Sequence, residues 1–122
     1  MLVILGNQLF PLRFLPRPET GPVFMAEDFG LCTYEKHHKQ KIVLFLAAMR
    51  SYADELRDAG YDVQYVQLDS DDDRSYEAKL RDALAAAGAK QIRHFEVEDR
   101  AMERRLVDFA DSEGLEREER VS

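Results

Sequence analysis

The sequence predicts an α/β fold, a doubly wound, Rossmann-like parallel sheet of four or five strands with helices on both faces. Three observations carry this reading. Leu2–Leu5 and Val23–Ala26 are continuous apolar runs rich in β-formers, as expected of strands buried on both faces. Segments with helical periodicity separate the runs that follow. Glycines at 6, 60 and 88 stand where those elements should stop.

Taken in order, Leu2–Leu5 is the first strand, and its uninterrupted apolar character places it at the centre of the sheet. Residues 10–22 hold all four prolines together with Gly21, which bars a regular helix or inner strand and predicts a long surface connection. Val23–Ala26 is the second strand and ends in a polar loop from Glu27 and Asp28. Residues 34–60 read as one long helix. Ile42, Phe45, Leu46, Met49, Ala53 and Leu56 recur at helical spacing and face the core, with Arg50, Asp54, Arg57 and Asp58 on the water side. Gly60 suits a left-handed C-terminal cap. The start of this helix is unusual, because Lys36, Lys39 and Lys41 oppose the macrodipole at about 0.3–1 kcal/mol each. With Thr33 as N-cap, Tyr34, His38, Lys41 and Phe45 share one face. They form either a binding cluster or a set of solvated basic residues beside an acidic neighbourhood.

Residues 62–68 alternate Val63 and Tyr65 against Val66 and Leu68, and predict a third strand nearer the sheet edge. Residues 69–75 are a charged loop without the spaced ligand pattern of a calcium site. Tyr76–Ala87 is the second helix, Ile92–Val97 the fourth strand and Arg100–Phe109 the third helix. Gly114–Val121 offers a fifth strand, although Glu116–Arg120 is entirely charged.

The totals narrow the function. A chain of 122 residues with 45% hydrophobic content forms one domain, residues 1–122, with a real core. A net charge of −7 argues against broad contact with a phosphate backbone, so this chain alone should not grip DNA. Cys32 is the only cysteine, which excludes an internal disulfide or a four-cysteine metal site and points to a reducing, cytoplasmic setting. The N-terminal apolar run is too short for a signal peptide or membrane span. His37 and His38, adjacent on a helix, point about 100° apart and do not chelate one ion, so no metal site and no catalytic residue is assigned.

In a doubly wound sheet, ligands bind outside the carboxyl ends of the strands where strand order reverses. Gly6, Asn7 and Gln8 leave the first strand, Glu27 and Asp28 the second, and Glu96, Glu98 and Asp99 the fourth, so all should meet on one rim. Neither a Gly-x-Gly-x-x-Gly fingerprint nor a phosphate loop is present, which removes most support for dinucleotide or nucleotide-triphosphate binding.

Three pieces carry a family resemblance. They are Leu-Val-Ile-Leu-Gly-Asn-Gln-Leu at 2–9, Val-Phe-Met-Ala-Glu at 23–27, and His-His-Lys-Gln-Lys-Ile-Val-Leu-Phe-Leu-Ala-Ala-Met-Arg at 37–50 with Tyr-Ala-Asp-Glu-Leu at 52–56. Together they resemble the N-terminal domain of the deoxyribodipyrimidine photolyase-related proteins, the iron–sulfur bacterial (6-4) photolyase and cryptochrome branch. The resemblance implies an α/β antenna domain followed by a helical domain, absent here, that holds FAD, a 4Fe-4S cluster and the DNA-lesion site. It implies a lumazine antenna, 6,7-dimethyl-8-ribityllumazine, on a pocket that falls here on Gly6, Asn7, Gln8, Glu27 and Tyr34, with His38 and Lys41 at the helix entry. Asn7 stands where the family usually has aspartate, and the loop from Asp28 to Glu35, with Cys32 inside it, is longer than in such relatives.

Two function classes follow. One is an antenna module whose partners are its own helical domain and the chromophore, meeting DNA only through the full-length protein and no membrane. The other is a stand-alone module for an adenine-type ligand or a protein partner. On the first reading, exposed apolar residues of the third helix, Leu106, Val107 or Phe109, should mark the interdomain contact. Glu27 is expected either to meet the ligand, or to cap the following helix or pair with Lys41.

Overall fold

A computed structural model of the chain describes residues 1–28, 39–69 and 71–120, with residues 39–42 described by their helical backbone only. Five strands and three helices follow in the order β1 (Leu2–Val3), β2 (Val23–Ala26), α1 (Lys39–Asp58), β3 (Val63–Val66), α2 (Tyr76–Ala87), β4 (Gln91–Phe95), α3 (Arg100–Glu113) and β5 (Glu116–Arg120). All strand pairs are parallel and the sheet runs β3-β2-β1-β4-β5. This is the expected doubly wound α/β sheet, with β1 at its centre and the order reversing between β1 and β4.

Alternation along the strands divides the core in two. Leu2, Ile4, Val23, Met25 and Phe95 pack with Met49, Tyr52, Ala53 and Leu56 of α1. Val3, Leu5, Phe24, Ala26 and Ile92 pack with Leu80 and Leu84 of α2 and with Met102, Leu106 and Phe109 of α3. An edge-on Phe24–Tyr76 pair, with centroids 5.6 Å apart, ties α2 to the sheet. Ser75 caps α2 through its hydroxyl and Asp99 caps α3 through its carboxylate, each satisfying amides that a helix start leaves without partners.

The proline-rich crossover between β1 and β2 replaces a helix with two single 3₁₀ turns, Leu12–Phe14 and Pro18–Thr20. It is pinned from α1 and the turn after it. The Tyr52 hydroxyl donates to the Phe10 carbonyl at 2.5 Å, the Tyr61 hydroxyl to the Pro16 carbonyl at 2.5 Å, and Phe10 meets Phe95 edge-on at 4.9 Å. At the end of α1, Gly60 has φ +95° and the Tyr61 amide reaches back to the Leu56 carbonyl, the cap its position predicts.

Several expectations are corrected. Helix α3 runs on past Phe109 to Glu113, while the fifth strand that the sequence offers is present as the all-charged Glu116–Arg120, in register with β4. An outermost strand needs a partner on one side only, so its side chains stay in water. Leu106 and Phe109 are 2% and 4% exposed and belong to the core, not to an outward patch. The exposed large apolar residues among those described are Phe14, Val43 and Leu44, the last two on α1. Phe45 and Leu46 are only partly buried. No helix among the described residues is long and apolar enough to cross a membrane.

Candidate functional site: the rim beyond the first two strands

The rim is built by register. Leu2 pairs with Val23 and Val3 with Phe24, and continuing that ladder sets Gly6 beside Glu27. Period-two alternation then sends both toward α1 and sends Asp28 to the opposite face. At Gly6 a side chain would force its neighbours to shift. A Cβ on it would lie 2.5 Å from the Phe45 ring and 2.9 Å from the Met49 sulfur, so α1 packs directly on the backbone leaving β1. From the level of Phe45, α1 continues at 1.5 Å per residue back to Lys39 and overhangs the strand ends by roughly 9 Å, forming one wall of the rim.

Glu27 is 0% exposed, yet every oxygen is bonded. Arg50 grips it in bidentate fashion, Nε to Oε2 at 2.7 Å and Nη2 to Oε1 at 2.9 Å. The Tyr65 hydroxyl donates to Oε2 at 2.5 Å and the Leu68 amide to Oε1 at 2.7 Å. Burial alone would raise the Glu27 carboxyl, but the bonds from Arg50, Leu68 and Tyr65 outweigh it and hold the group ionised below the usual range. In turn, burial and the bond to Glu27 push the Tyr65 phenol well above its usual value. The helix entry that Glu27 was expected to cap and the Lys41 side chain it was expected to pair with lie outside the described residues.

Arg50 had been assigned to the water side of the helix. Its side chain is 49% exposed, but one edge of the guanidinium turns back to the sheet. Neither Arg50 nor Tyr65 was singled out from the sequence. Their signal was available in the Ala-Met-Arg block and in Tyr65 standing two residues after Val63 on the α1 face of β3.

Gln8 departs from the other flank of Gly6. A tight turn, with the Gln8 amide on the Leu5 carbonyl at 2.9 Å, folds it back toward β4, where its Nε2 donates to the Glu96 carbonyl at 2.9 Å. The side chain thus bridges β1 and β4 at the reversal of strand order. It is 6% exposed, and its Oε1 is buried with no hydrogen-bond partner among the described residues. Asn7, at the apex, is exposed. The structure thus brings Gly6 and Glu27 side by side and places Gln8 at the switch point. Arg50 reaches Glu27 after β2 and stands by Tyr65 of β3, whereas Gln8 lies between β1 and β4. Tyr34 and His38 lie outside the described residues. Among the described residues no three His, Cys, Asp or Glu side chains gather as a metal site.

Known proteins share this sequence. The family model for deoxyribodipyrimidine photo-lyase-related protein matches residues 2–121. A (6-4) photolyase of Agrobacterium fabrum is 33% identical over 89 residues, 69% of this chain and 17% of its own length. An uncharacterized protein of Acanthamoeba polyphaga mimivirus is 28% identical over 116 residues, 90% of this chain and 57% of its own. The chain therefore spans less than two thirds of either relative. With the match running through every strand and helix described above, the chain belongs to the family of deoxyribodipyrimidine photo-lyase-related proteins.

Proposed function

We propose that this chain is the light-harvesting α/β module of a photolyase- or cryptochrome-type flavoprotein, and that its rim binds an antenna chromophore of the lumazine class, 6,7-dimethyl-8-ribityllumazine. The (6-4) photolyase relative supports the photolyase setting, and a helical region with FAD and a 4Fe-4S cluster, serving DNA photorepair or light signalling, is what the family resemblance implies. Bound chromophore would supply one thing, absorption of light and transfer of the excitation to the flavin. No catalytic residue is assigned to this chain.

The single observation that carries the reading is Gln8. An amide oxygen buried at the switch point without a partner costs about 1–3 kcal/mol, and a ligand hydroxyl donated to it removes that cost. A ribityl chain is a row of such donors. The groups present fit the chromophore: Gln8 Oε1 and the exposed Asn7 amide at one end of the rim, the outward edge of Arg50 at the other. Glu27 acts through Arg50, since its own acceptor positions are filled.

The test is to titrate 6,7-dimethyl-8-ribityllumazine into wild type, Glu27→Ala and Asn7→Asp while following its fluorescence, with thermal melts to establish that each is folded. Glu27→Ala should lose at least tenfold in affinity, about 1.4 kcal/mol, and Asn7→Asp should keep or gain it. Equal affinities in all three, or no binding even to a protein that includes the helical region, would remove the antenna reading.

A further inference from the structure

We propose that Arg50 is the ring anchor of this rim, a guanidinium pinned by Glu27 so that its remaining N–H edge binds a planar pair of neighbouring acceptors, as presented by a carbonyl oxygen and the adjacent ring nitrogen of a lumazine or by two oxygens of a phosphate. The proposal rests on the reading of the rim as a ligand site. It begins from the saturation of Glu27. A carboxylate offers about four acceptor positions, and two N–H groups of Arg50, the Tyr65 hydroxyl and the Leu68 amide take them, so this buried carboxylate has nothing left for a ligand.

What Glu27 does instead is orient its partner. A guanidinium carries five N–H donors in one plane. The Glu27 pair uses two, on Nε and Nη2, and the Tyr65 hydroxyl stands beside the guanidinium on the same inward side. The bidentate bond fixes the plane before any ligand arrives, which reduces the ordering cost of binding. The half-exposed side chain leaves the outer edge open to solvent.

The surroundings of that edge suit an aromatic ligand. Val43, Leu46 and Arg50 stand at i, i+3 and i+7 along α1, in the part of the helix that overhangs or meets the strand ends. Val43 is 63% exposed and Leu46 half-buried, so an apolar strip leads down to a donor fork. A flat ring with acceptors on one edge matches both features; a simple cation matches neither. In a chain of net charge −7, a pinned guanidinium at the rim also provides local attraction for an acceptor-rich group.

The experiment uses Arg50→Lys, which keeps the charge and loses the fork, and Glu27→Gln, which keeps Arg50 and loosens its pin. Arg57→Lys is the control, an exposed arginine of the same helix paired with Asp54 at 3.5 Å. The probes are 6,7-dimethyl-8-ribityllumazine, the chainless 6,7-dimethyllumazine and AMP, followed by fluorescence or calorimetry, with circular-dichroism melts on each variant. Arg50→Lys is expected to lose at least tenfold for both lumazines, Glu27→Gln to lose by a smaller factor, and Arg57→Lys to stay within about twofold. If lumazines fail to bind while AMP binds and depends on Arg50, the antenna reading falls and the anchor stands. If lumazine binds wild type and Arg50→Lys within about twofold, the antenna reading stands and the anchor falls. Binding of none of the three probes to wild type overturns the anchor as well.

Discussion

The two faces of the sheet are covered in different ways, and the difference locates function. On one face α2 and α3, both capped, lie over a continuous apolar layer from Val3 to Ala110. On the other a single helix shares the cover with a proline-rich strap, and the joints are polar: Tyr52 on Phe10, Tyr61 on Pro16, and Arg50 with Tyr65 on Glu27. An open groove of about 440 Å³ runs between strap and helix, lined by Phe10, Leu12, Ala48 and Tyr52. On the closed face the ion pairs Arg105–Glu77 and Arg81–Glu113 join the two helices to each other, whereas on the strap face directed bonds hold the strap and the strand ends themselves. Directed bonds place donors and acceptors at the rim. Glu27 and Asp28, consecutive at the end of β2, show the contrast, the first turned to the strap face and the second to the closed one.

The largest effect that separates the faces is cavity formation. Leu80, 0% exposed on the closed face, should cost about 3–5 kcal/mol on truncation to Ala. Phe45 on the strap face, read from the sequence as a core residue of the same order, is only partly buried, and Phe45→Ala should cost about 1–2 kcal/mol. Urea melts compare the two directly. Equal costs would mean that the strap face is packed as tightly as the other.

Gly6 comes next. Its neighbours are a ring and a thioether, both able to shift a little, so Gly6→Ala should destabilise by about 1–3 kcal/mol through displacement of Phe45 and Met49. The same substitution should weaken ligand binding at the rim, because α1 is its wall. A Gly6→Ala protein that melts with wild type would show that α1 stands off from β1.

Acid titration distinguishes the faces without altering the core. Glu27 on one face and Glu77 on the other are both held below the usual carboxylate range, Glu77 chiefly by its bond to Arg105. A depressed carboxylate contributes stability that is present above its unfolded value, about 4.3, and is lost as pH falls through the folded one. Removing the arginine raises the folded value, so Arg50→Met should move the acid unfolding midpoint to higher pH. Arg105→Met should move it less, because the Glu77 side chain is 30% exposed and water replaces its partner. A larger shift for Arg105→Met would reverse the assignment of which carboxylate is the internal one.

Much of this was legible in the sequence, for physical reasons that also mark the limits. Strands buried on both faces leave continuous apolar runs, so β1 and β2 and the centrality of β1 could be read directly, as could α2 from Tyr76 to its closing glycine. The rim followed from topology alone, since any residue leaving a parallel strand at its carboxyl end arrives there. Side-chain reach did not follow. Arg50 sits on the outer part of α1 by periodicity, and only its long stem lets it return to a carboxylate on a neighbouring strand. Leu106 and Phe109 are expected from the resemblance at a contact with a further domain, whereas in this fold α3 is needed to cover the sheet and buries both. The entry to α1, with Tyr34 and His38, lies outside the described residues, and the roles assigned there stand on the resemblance alone.

The smallest effect is the most telling, because one chemical change should act with opposite sign on the two faces. The Tyr65 hydroxyl donates to Glu27, an acceptor with full charge and no exposure. The Tyr76 hydroxyl, 2% exposed at the start of α2, is buried with no hydrogen-bond partner, and burial pushes its phenol far above the usual value. Tyr65→Phe removes a bond to an ion and leaves Glu27 one donor short, which should cost about 1–2 kcal/mol. Tyr76→Phe removes a polar atom that the fold has desolvated without compensation while keeping the edge-on ring contact to Phe24, and should be neutral or stabilise by up to about 1 kcal/mol. Thermal melts of the two single variants and the double variant test this, and the double should be additive because the residues lie on opposite faces of the sheet. A destabilised Tyr76→Phe would show that the hydroxyl has a partner, a buried water, and that the apolar layer of the closed face contains a directed bond of its own.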